Sequence, residues 1–271
     1  MASALTLLLA GAGCGKTPAA TAPGAPVQPG KAPAVAPTPT STQPTTPTPA
    51  PAPAAEPVVQ PTSPCEHPYY PLIPGYAISY SSQSGGSRIN YTMTVGGVSE
   101  ESAQISFAFV NPAVTVNQEL GCQAGSILAK TYLDMSSALG GADLKVETKN
   151  ASGDIMPAEL QVGTSWNNRF ETTLTPGPKF PAKIGPMTAV IDVTNRVVGE
   201  ERVTVPAGTF TALKVEVNST QTINIPNVPA QPPQTSTGYQ WWVKGVGLVK
   251  QTSGTAATGE SVTEATAISK P

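Results

Sequence analysis

YAISYSSQSGGSRINYTMTVGGVSEESAQISFAF, residues 76–109, is the stretch that decides the fold of this chain. Apolar residues alternate with small or polar ones in three successive runs, Tyr76–Tyr80, Ile89–Val95 and Ile105–Phe109. A period of two residues is the pattern of β-strands that bury one face. Glycine-containing turns at Ser84–Ser87 and Gly96–Gly97 separate the runs and favour hairpin connections. The stretch therefore predicts a meander of antiparallel strands.

Strand-like alternation continues almost to the C-terminus. Two short strands are predicted on either side of Gly121–Gly125, and hairpin turns are predicted at Val198–Glu200 and Val205–Gly208. The one candidate helix is Tyr132–Leu139, where the apolar spacing is closer to 3.6 residues. The predicted fold class is all-β: an antiparallel, strongly curved sheet or partial barrel of about ten strands with little helix.

A short apolar run near the N-terminus ends in a cysteine: Leu5–Cys14 reads LTLLLAGAGC. An apolar segment of about 7–15 residues followed by small residues is typical of a secretory signal peptide. The run is too short to span a bilayer, which takes about 20 apolar residues. Residues 1–13 are therefore predicted to be a signal peptide.

The same run resembles a bacterial lipobox, usually Leu-Ala-Gly-Cys, and this resemblance implies a lipoprotein with acyl chains such as palmitate on Cys14. Gly11 stands where a branched apolar residue is usual, and no Lys or Arg precedes the run. A lipid on Cys14 would anchor the chain to a membrane of the cell envelope, facing the periplasm or the exterior. Plain secretion is the alternative.

Ala10–Thr17 reads AGAGCGKT and is close to the P-loop pattern of nucleotide-binding proteins. A P-loop needs a strand before the glycine-rich turn and a helix after it, whose N-terminus binds phosphate. Repeated prolines follow Thr17 and cannot continue a helix. The sequence therefore predicts no nucleotide site.

Residues 14–64 form a segment with half of the 30 prolines of the chain and without an aromatic residue. Such a composition cannot bury a core, so this segment is predicted to be a disordered linker. Residues 65–271 are predicted to be a single β-domain with a net charge near −3, from 13 Lys and Arg against 16 Asp and Glu. This charge disfavours nucleic acid as a partner.

The cysteines predict one disulfide bond. If lipid occupies Cys14, Cys65 and Cys122 are the remaining pair in an exported protein. Outside the cytosol, such a pair is more often a disulfide than two free thiols.

Residues capable of catalysis are few. His67 is the only histidine, and a Cys65–His67 nucleophile pair is the catalytic alternative to an exposed loop residue. The adjacent carboxylates Glu100–Glu101 and Glu200–Glu201 follow glycine-containing turns and are interpreted as solvated hairpin tips. No catalytic residue, metal ligand or cofactor site is predicted.

Three tryptophans are the candidate ligand-lining residues: Trp166, Trp241 and Trp242. Aromatic rings at strand positions bind sugars or lipids in some proteins, but more often they fill the core. The three apolar faces Ile89–Met93, Ile105–Phe109 and Leu213–Val217 have little helix to cover them. We therefore expect a concave face that is partly open to an apolar guest.

Three phrases resemble a broad group of uncharacterised bacterial envelope proteins: YYPLIPGYAISY (69–80), VTVPAGTFTALKV (203–215) and WWVKGVGLVK (241–250). These exported β-domains are similar to the half-barrel of the lipoprotein carriers (Lol-type). The resemblance implies a curved antiparallel sheet wrapped over short helices, with a concave face that holds acyl chains. Ile78 stands where such proteins often have a Trp, so the packing around that position must differ.

The function predicted from these features is that of a membrane-tethered envelope lipoprotein with a non-catalytic β-domain. The domain would bind an apolar or lipid-like ligand or support envelope structure. The enzyme alternative is a hydrolase that acts on the cell wall or on glycans, which would need two converging carboxylates.

Cys14→Ser should move the protein from the detergent phase to the aqueous phase of a Triton X-114 partition, because the variant has no thiol to carry lipid. Immunoblotting of both phases measures the change. A wild-type protein that partitions to water as completely as the variant would contradict lipidation.

Overall fold

The computed structural model describes residues 64–111, 113–133, 144–178, 180, 184–255 and 259–271. These residues form twelve strands and no helix. The strands are β1 (Ala77–Ser84), β2 (Ser87–Val98), β3 (Ser102–Phe109), β4 (Val114–Gln123), β5 (Ser126–Ala129), β6 (Leu144–Met156), β7 (Ser165–Pro176), β8 (Met187–Val205), β9 (Gly208–Asn224), β10 (Gln234–Val243), β11 (Gly247–Thr255) and β12 (Gly259–Ser269). The predicted signal peptide, Cys14, nearly all of the predicted linker and most of the predicted helix lie outside the described residues.

The sheet closes into a barrel. Each strand pairs antiparallel with the next in sequence, and β1 also pairs with β12 from Ala77–Ser269 to Ser84–Ser261. The all-β, antiparallel prediction is confirmed, whereas the partial barrel and the number of about ten strands are wrong. The Ser- and Thr-rich β11 and β12 show little apolar alternation, so the sequence gives no sign that they close the sheet.

The longest hairpin, β8–β9, bends in the middle. The predicted turn at Val198–Glu200 is wrong, because β8 passes through a bulge between Val197 and Gly199 and runs on to Val205. A bulge adds one unpaired residue and increases the local twist. The predicted turn at Val205–Gly208 is confirmed. Its Ala207 amide donates a hydrogen bond to the carbonyl of Ala265 in β12 (3.0 Å), so the hairpin tip rests on another part of the wall.

The barrel interior is the core of the domain. Along several strands, buried residues alternate with exposed or half-buried ones, as in β3, where Ile105, Phe107 and Phe109 are buried and Gln104 and Ala108 are exposed. The predicted apolar faces therefore point inward.

Residues 64–76, here named the plug segment, cross one end of the barrel. The carbonyl of Pro64 accepts a hydrogen bond from Gly125 in the β4–β5 turn (3.2 Å), and that of Pro68 accepts one from Gly245 in the β10–β11 turn (2.7 Å). At its end, the Gly75 amide donates to the carbonyl of Val95 in β2 (2.9 Å). The segment thus bonds to widely separated strands around this end and covers it.

A disulfide bond joins the plug segment to the wall. Cys65 is bonded to Cys122 of β4, which confirms the predicted pair and leaves no thiol for a Cys65–His67 nucleophile. His67 is only 3% exposed, so its interpretation as an exposed loop residue is wrong. Its Nδ1 accepts a hydrogen bond from the Tyr69 amide (3.1 Å), so Nε2 carries the proton and donates to the carbonyl of Pro157 (2.9 Å).

The double variant Cys65→Ser/Cys122→Ser should lower the free energy of unfolding by up to about 4 kcal/mol, because the bond closes a long loop of sequence separation 57. Urea denaturation of the variant and the wild type measures the difference. Free, alkylatable thiols at both positions of freshly isolated wild-type protein would contradict the bond.

Burial lowers the pKa of His67 below its ordinary value of 6.5, although the bond to Pro157 acts in the opposite direction. The unfolded chain then binds the proton more readily than the folded one. The contribution of His67 to stability is therefore complete above about pH 6.5 and is lost as the pH falls towards the lowered pKa.

His67→Gln should remove this part of the pH dependence, because Gln does not titrate. Urea midpoints of wild type and variant at about pH 7.5 and about pH 5.5 test it. Identical pH slopes for the two proteins would contradict a buried neutral imidazole.

Candidate functional site

Aromatic side chains fill the end of the barrel beneath the plug segment. Tyr70 of the plug segment packs against Trp242 of β10, with ring centroids 5.5 Å apart. Tyr80 of β1 stacks on Tyr91 of β2 at 5.2 Å. All four side chains are buried. Rings at these separations attract one another in addition to the apolar area that they bury.

The tyrosine hydroxyls of this cluster are held in the neutral state. Those of Tyr76 and Tyr80 donate to the carbonyls of Val246 (2.9 Å) and Leu248 (2.7 Å). Burial raises the pKa of the Tyr80 hydroxyl, and neighbouring tyrosines raise it further. Burial likewise raises the pKa of Tyr70. A tyrosine that stays protonated near neutral pH cannot act as a base.

A small recess remains between the plug segment and the wall. Its volume is about 10 Å³, and its lining includes Tyr70, Ile78, Met93 and Trp242. Such a volume holds about one water molecule. At this end, the expected apolar concavity is therefore filled, in part by the plug-segment rings of Tyr70 and Tyr76. Ile78 occupies the position at which the resembling proteins often carry a Trp.

On the strands from β8 to β12 and on β1, many of the inward-facing residues are polar. We name its polar inward-facing residues the polar wall: Ser82, Asn195, Ser219, Gln221, Gln240, Gln251, Ser253, Ser261 and Thr263. They lie in register, since Gln240 pairs with Gln251, which pairs with Thr263, and Ser253 pairs with Ser261. The inward-facing side of six adjacent strands, β8 to β12 and β1, thus carries hydroxyl and amide groups.

Hydroxyl groups of the polar wall bond to one another across the strands. Thr263 Oγ1 donates to Ser82 Oγ (2.9 Å), and the Oγ atoms of Ser253 and Ser261 lie 2.8 Å apart. Their residues are half-buried, whereas Gln240, deeper in the same wall, is only 4% exposed. Along β1, β11 and β12, exposure therefore increases towards the end opposite the plug segment, which we name the mouth. On β7 and β8, by contrast, Leu174 and Met187 are buried at that end.

Two amide nitrogens of the polar wall have no hydrogen-bond partner among the described residues. Asn195 Nδ2 and Gln221 Nε2 are buried without a hydrogen bond, and the Asn195 residue is 5% exposed. A buried donor that makes no bond loses its hydration without compensation, so such groups are rare unless water or a ligand completes them. The two positions are therefore the strongest indication of a binding site among the described residues.

No Asp, Glu, Lys or Arg occupies an inward-facing position of β7, of the strands from β9 to β12, or of β8 before its bulge. The charged side chains of these strands point outward, and several of them form ion pairs there. Arg169 bonds to Asp192 (2.8 Å), and Lys250 bonds to Glu264 (2.8 Å). The polar wall is thus electrically neutral.

The three predicted tryptophans do not form one site. Trp166 points inward, donates to the carbonyl of Ile155 (3.1 Å) and is the register partner of Asn195. Trp242 lines the recess. Trp241 lies on the outer side, where the Lys214 and Lys250 ammonium groups are 5.3 Å and 5.8 Å from its ring centroid.

The carboxylate pairs do not form an acid–base site. Glu100 and Glu101 are exposed in the β2–β3 turn, as predicted. Glu200 and Glu201 are exposed too, but they follow the bulge inside β8 and are not a hairpin tip. Trp241 Nε1 donates to Glu201 Oε1 (2.6 Å), and this bond, with Lys214 nearby, lowers the pKa of the Glu201 carboxyl.

Within the described residues, no group of His, Cys, Asp and Glu side chains is arranged to hold a metal ion. No helix in that part of the chain is long and apolar enough to cross a membrane.

Asn195 and Gln221 were missed although the sequence carries a signal for both. Met187, Ala189, Ile191, Val193 and Val197 form an alternating apolar series in which Asn195 takes an inward position. Gln221 likewise takes an inward position in the β9 series that contains Val215 and Val217. A polar residue at an inward position of an apolar series is the pattern that identifies them.

Comparisons with known proteins give a family and a shared fold. A family model described as DUF3108-like matches residues 113–254, and no curated protein matches the chain. A protein of Parabacteroides distasonis ATCC 8503, inferred to be a lipoprotein, is 16% identical, with 74% of this chain and 98% of that one covered and a TM-score of 0.52. This similarity shows a shared fold.

Two further solved structures are less similar. An inferred exported protein of Bacteroides fragilis NCTC 9343 with a YmcC-like fold is 17% identical (74% and 99% covered, TM-score 0.49). The hypothetical lipoprotein YmcC of Escherichia coli K12 is 11% identical (72% and 84% covered, TM-score 0.35). The resemblance to the Lol-type carriers stays a prediction.

The family match begins just before β4, ends in β11 and covers slightly more than half of the chain. It includes Trp166, Asn195, Gln221 and Gln240 and thus much of the polar wall. By this match, the chain belongs to the DUF3108-like family.

Proposed function

We propose that this protein is a non-catalytic protein of the cell envelope, tethered to a membrane through lipid on Cys14, whose barrel binds a neutral ligand in its mouth. The polar wall carries this proposal, because it presents two unpaired amide groups and a surface without charge. Binding sites for small molecules commonly combine apolar lining with a few converging polar groups. Here Trp166 lies beside Asn195, so both kinds of lining meet.

The position in the envelope is supported by the N-terminal pattern. The lipobox-like Leu5–Cys14 and the proline-rich linker that follows it suit a domain held at a distance from a membrane. The Parabacteroides distasonis protein with a shared fold is itself named as an inferred lipoprotein, which agrees with this position. The domain would face the periplasm or the exterior.

A lipid-like ligand is the second candidate, supported by the apolar lining of the recess. The recess has room for about one water molecule. An acyl chain would therefore have to displace the plug segment, which the Cys65–Cys122 bond and backbone hydrogen bonds hold in place. A purely structural role in the envelope would use the barrel without any ligand.

The hydrolase alternative has less support. Acid–base hydrolysis of a glycan needs two carboxyl groups that face each other across the substrate. The described pairs Glu100–Glu101 and Glu200–Glu201 are exposed, and Glu201 is bonded to Trp241.

Ser253→Cys, made in a full-length chain that carries Cys14→Ser, should react with a neutral methanethiosulfonate faster than with its sulfonate or trimethylammonium analogues. Position 253 faces the polar wall, where no charged group of the wall offsets the desolvation of an ionic reagent. Gln104→Cys on the exposed side of β3 is the matched control and should not favour the neutral reagent in this way. Mass spectrometry at successive times measures both rates.

Position 253 unreactive to all three reagents would show a closed mouth and contradict the proposed function. The same reagent preference at positions 253 and 104 would contradict a neutral interior. Release of soluble fragments from purified cell wall, or saturable binding of a fluorescent fatty acid, would favour the hydrolase or the lipid-binding alternative instead.

A further inference from the structure

We propose that the ligand of the mouth is a neutral oligosaccharide; this inference rests on the proposed function and names its ligand class. Four features of the described residues support it: unpaired amide donors, hydroxyl groups on the neighbouring strands, an aromatic ring beside one amide, and the absence of charge.

The unpaired amides define the length and the chemistry of the ligand. Asn195 pairs with Val217 and Gln221 pairs with Ile191, so the two amides are separated by four residues along the β8–β9 ladder. Four residues of extended strand cover about 13 Å. A ligand that reaches both is therefore elongated and offers hydrogen-bond acceptors along its length, as a chain of sugar rings does.

The hydroxyl groups suit a partner that both donates and accepts. Ser and Thr hydroxyls rotate to take either role. Ser82 and Thr263, and Ser253 and Ser261, now satisfy each other across the strands. A sugar hydroxyl can hydrogen-bond to either member of such a pair, and every hydroxyl group can still have a donor or an acceptor as its partner. An acyl chain would instead bury these hydroxyls against methylene groups, which is unfavourable.

An aromatic surface lies in the same row as one unpaired amide. Trp166 pairs with Asn195 across β7 and β8, and its Nε1 is already bonded to the carbonyl of Ile155. Its contribution to a ligand is therefore apolar. A sugar ring has polar edges and an apolar face, so an amide and an aromatic ring side by side match both.

The neutral wall disfavours acidic and basic ligands. A phosphate, a carboxylate or an amine would lose its hydration there without an opposite charge from the wall. A peptide is disfavoured for a different reason. Extended peptides commonly bind by adding a strand to a sheet edge, whereas each of the twelve described strands pairs with a strand on both sides.

Titration calorimetry of the full-length Cys14→Ser chain with chitotriose, maltotriose and trigalacturonate tests the inference. At least one of the two neutral trisaccharides should bind saturably at millimolar concentration or below. The anionic trisaccharide should bind about tenfold more weakly or not at all, because its carboxylates find no partner. Lack of binding by both neutral sugars, or equal binding of the anionic one, would overturn the inference.

The variants Asn195→Leu and Gln221→Leu test whether the sugar binds at the polar wall. Each should weaken the binding of the neutral sugar by about two- to tenfold, as expected for the loss of one hydrogen bond between neutral groups. Gln104→Leu, on the exposed side of β3, is the matched control and should bind as the wild type does. Unchanged affinity in both polar-wall variants would place the sugar elsewhere and overturn the inference.

The same variants distinguish a binding role from a structural one. Because Asn195 Nδ2 and Gln221 Nε2 have no partner among the described residues, leucine should leave the melting temperature unchanged or raise it. A lowered melting temperature in both would mean that the amides hold the fold together, which would contradict a ligand role.

The outcomes also separate this inference from the proposed function. If position 253 reacts faster with the neutral reagent and neither neutral sugar binds, the proposed function is retained and the inference of an oligosaccharide ligand is wrong. If position 253 is unreactive, both are wrong.

Discussion

The pairing of β1 with β12 is the constraint on which the rest of the structure depends. It joins the first strand of the domain to the last and leaves no unpaired edge among the described strands. Closure divides every strand into an inward and an outward series. Charged residues can then pair on the outside, as Arg169 does with Asp192, while the inward series must fill or line a confined space.

The two ends of the barrel interior carry different side chains. At one end the plug segment contributes Tyr70 and is fixed by Cys65, His67 and backbone bonds to widely separated strands. The rings of Tyr70 and Tyr76 pack at this end on a core that the strands supply with large side chains such as Tyr80 and Phe107. At the other end the polar wall replaces apolar side chains by amides and hydroxyls. At the mouth, the interior is therefore polar along β1, β11 and β12, whereas Leu174 and Met187 keep it apolar along β7 and β8. The proposed ligand site lies on the polar side.

The phrases that resemble envelope β-domains belong largely to the plugged end. Residues 69–80 contain Tyr70, which packs on Trp242 in residues 241–250, and Gly245 of that second phrase donates to Pro68. Residues 203–215 form the hairpin tip whose Ala207 amide reaches Ala265. These phrases therefore describe how the barrel is closed and plugged, whereas Asn195 and Gln221 lie outside all three. Resemblance in packing motifs accordingly carries little information about the ligand.

The sequence by itself determined that this chain is all-β and antiparallel and that hairpins turn at Ser84–Ser87 and Val205–Gly208, because these features follow from local alternation and from turn residues. It also determined that Cys65 and Cys122 form a pair, because this follows from the number of cysteines in an exported protein. Only the tertiary structure decided that the sheet closes, because the β1–β12 contact joins segments far apart in sequence and the Ser- and Thr-rich β12 shows little apolar alternation. It also decided that His67 is buried and that Val198–Glu200 is not a turn, since the first depends on contact with Pro157 and the second on pairing with β9. The unpaired state of Asn195 and Gln221 is likewise a tertiary property: a sequence can show a polar residue at an inward position, but only the folded barrel shows that nothing in the described chain bonds to it.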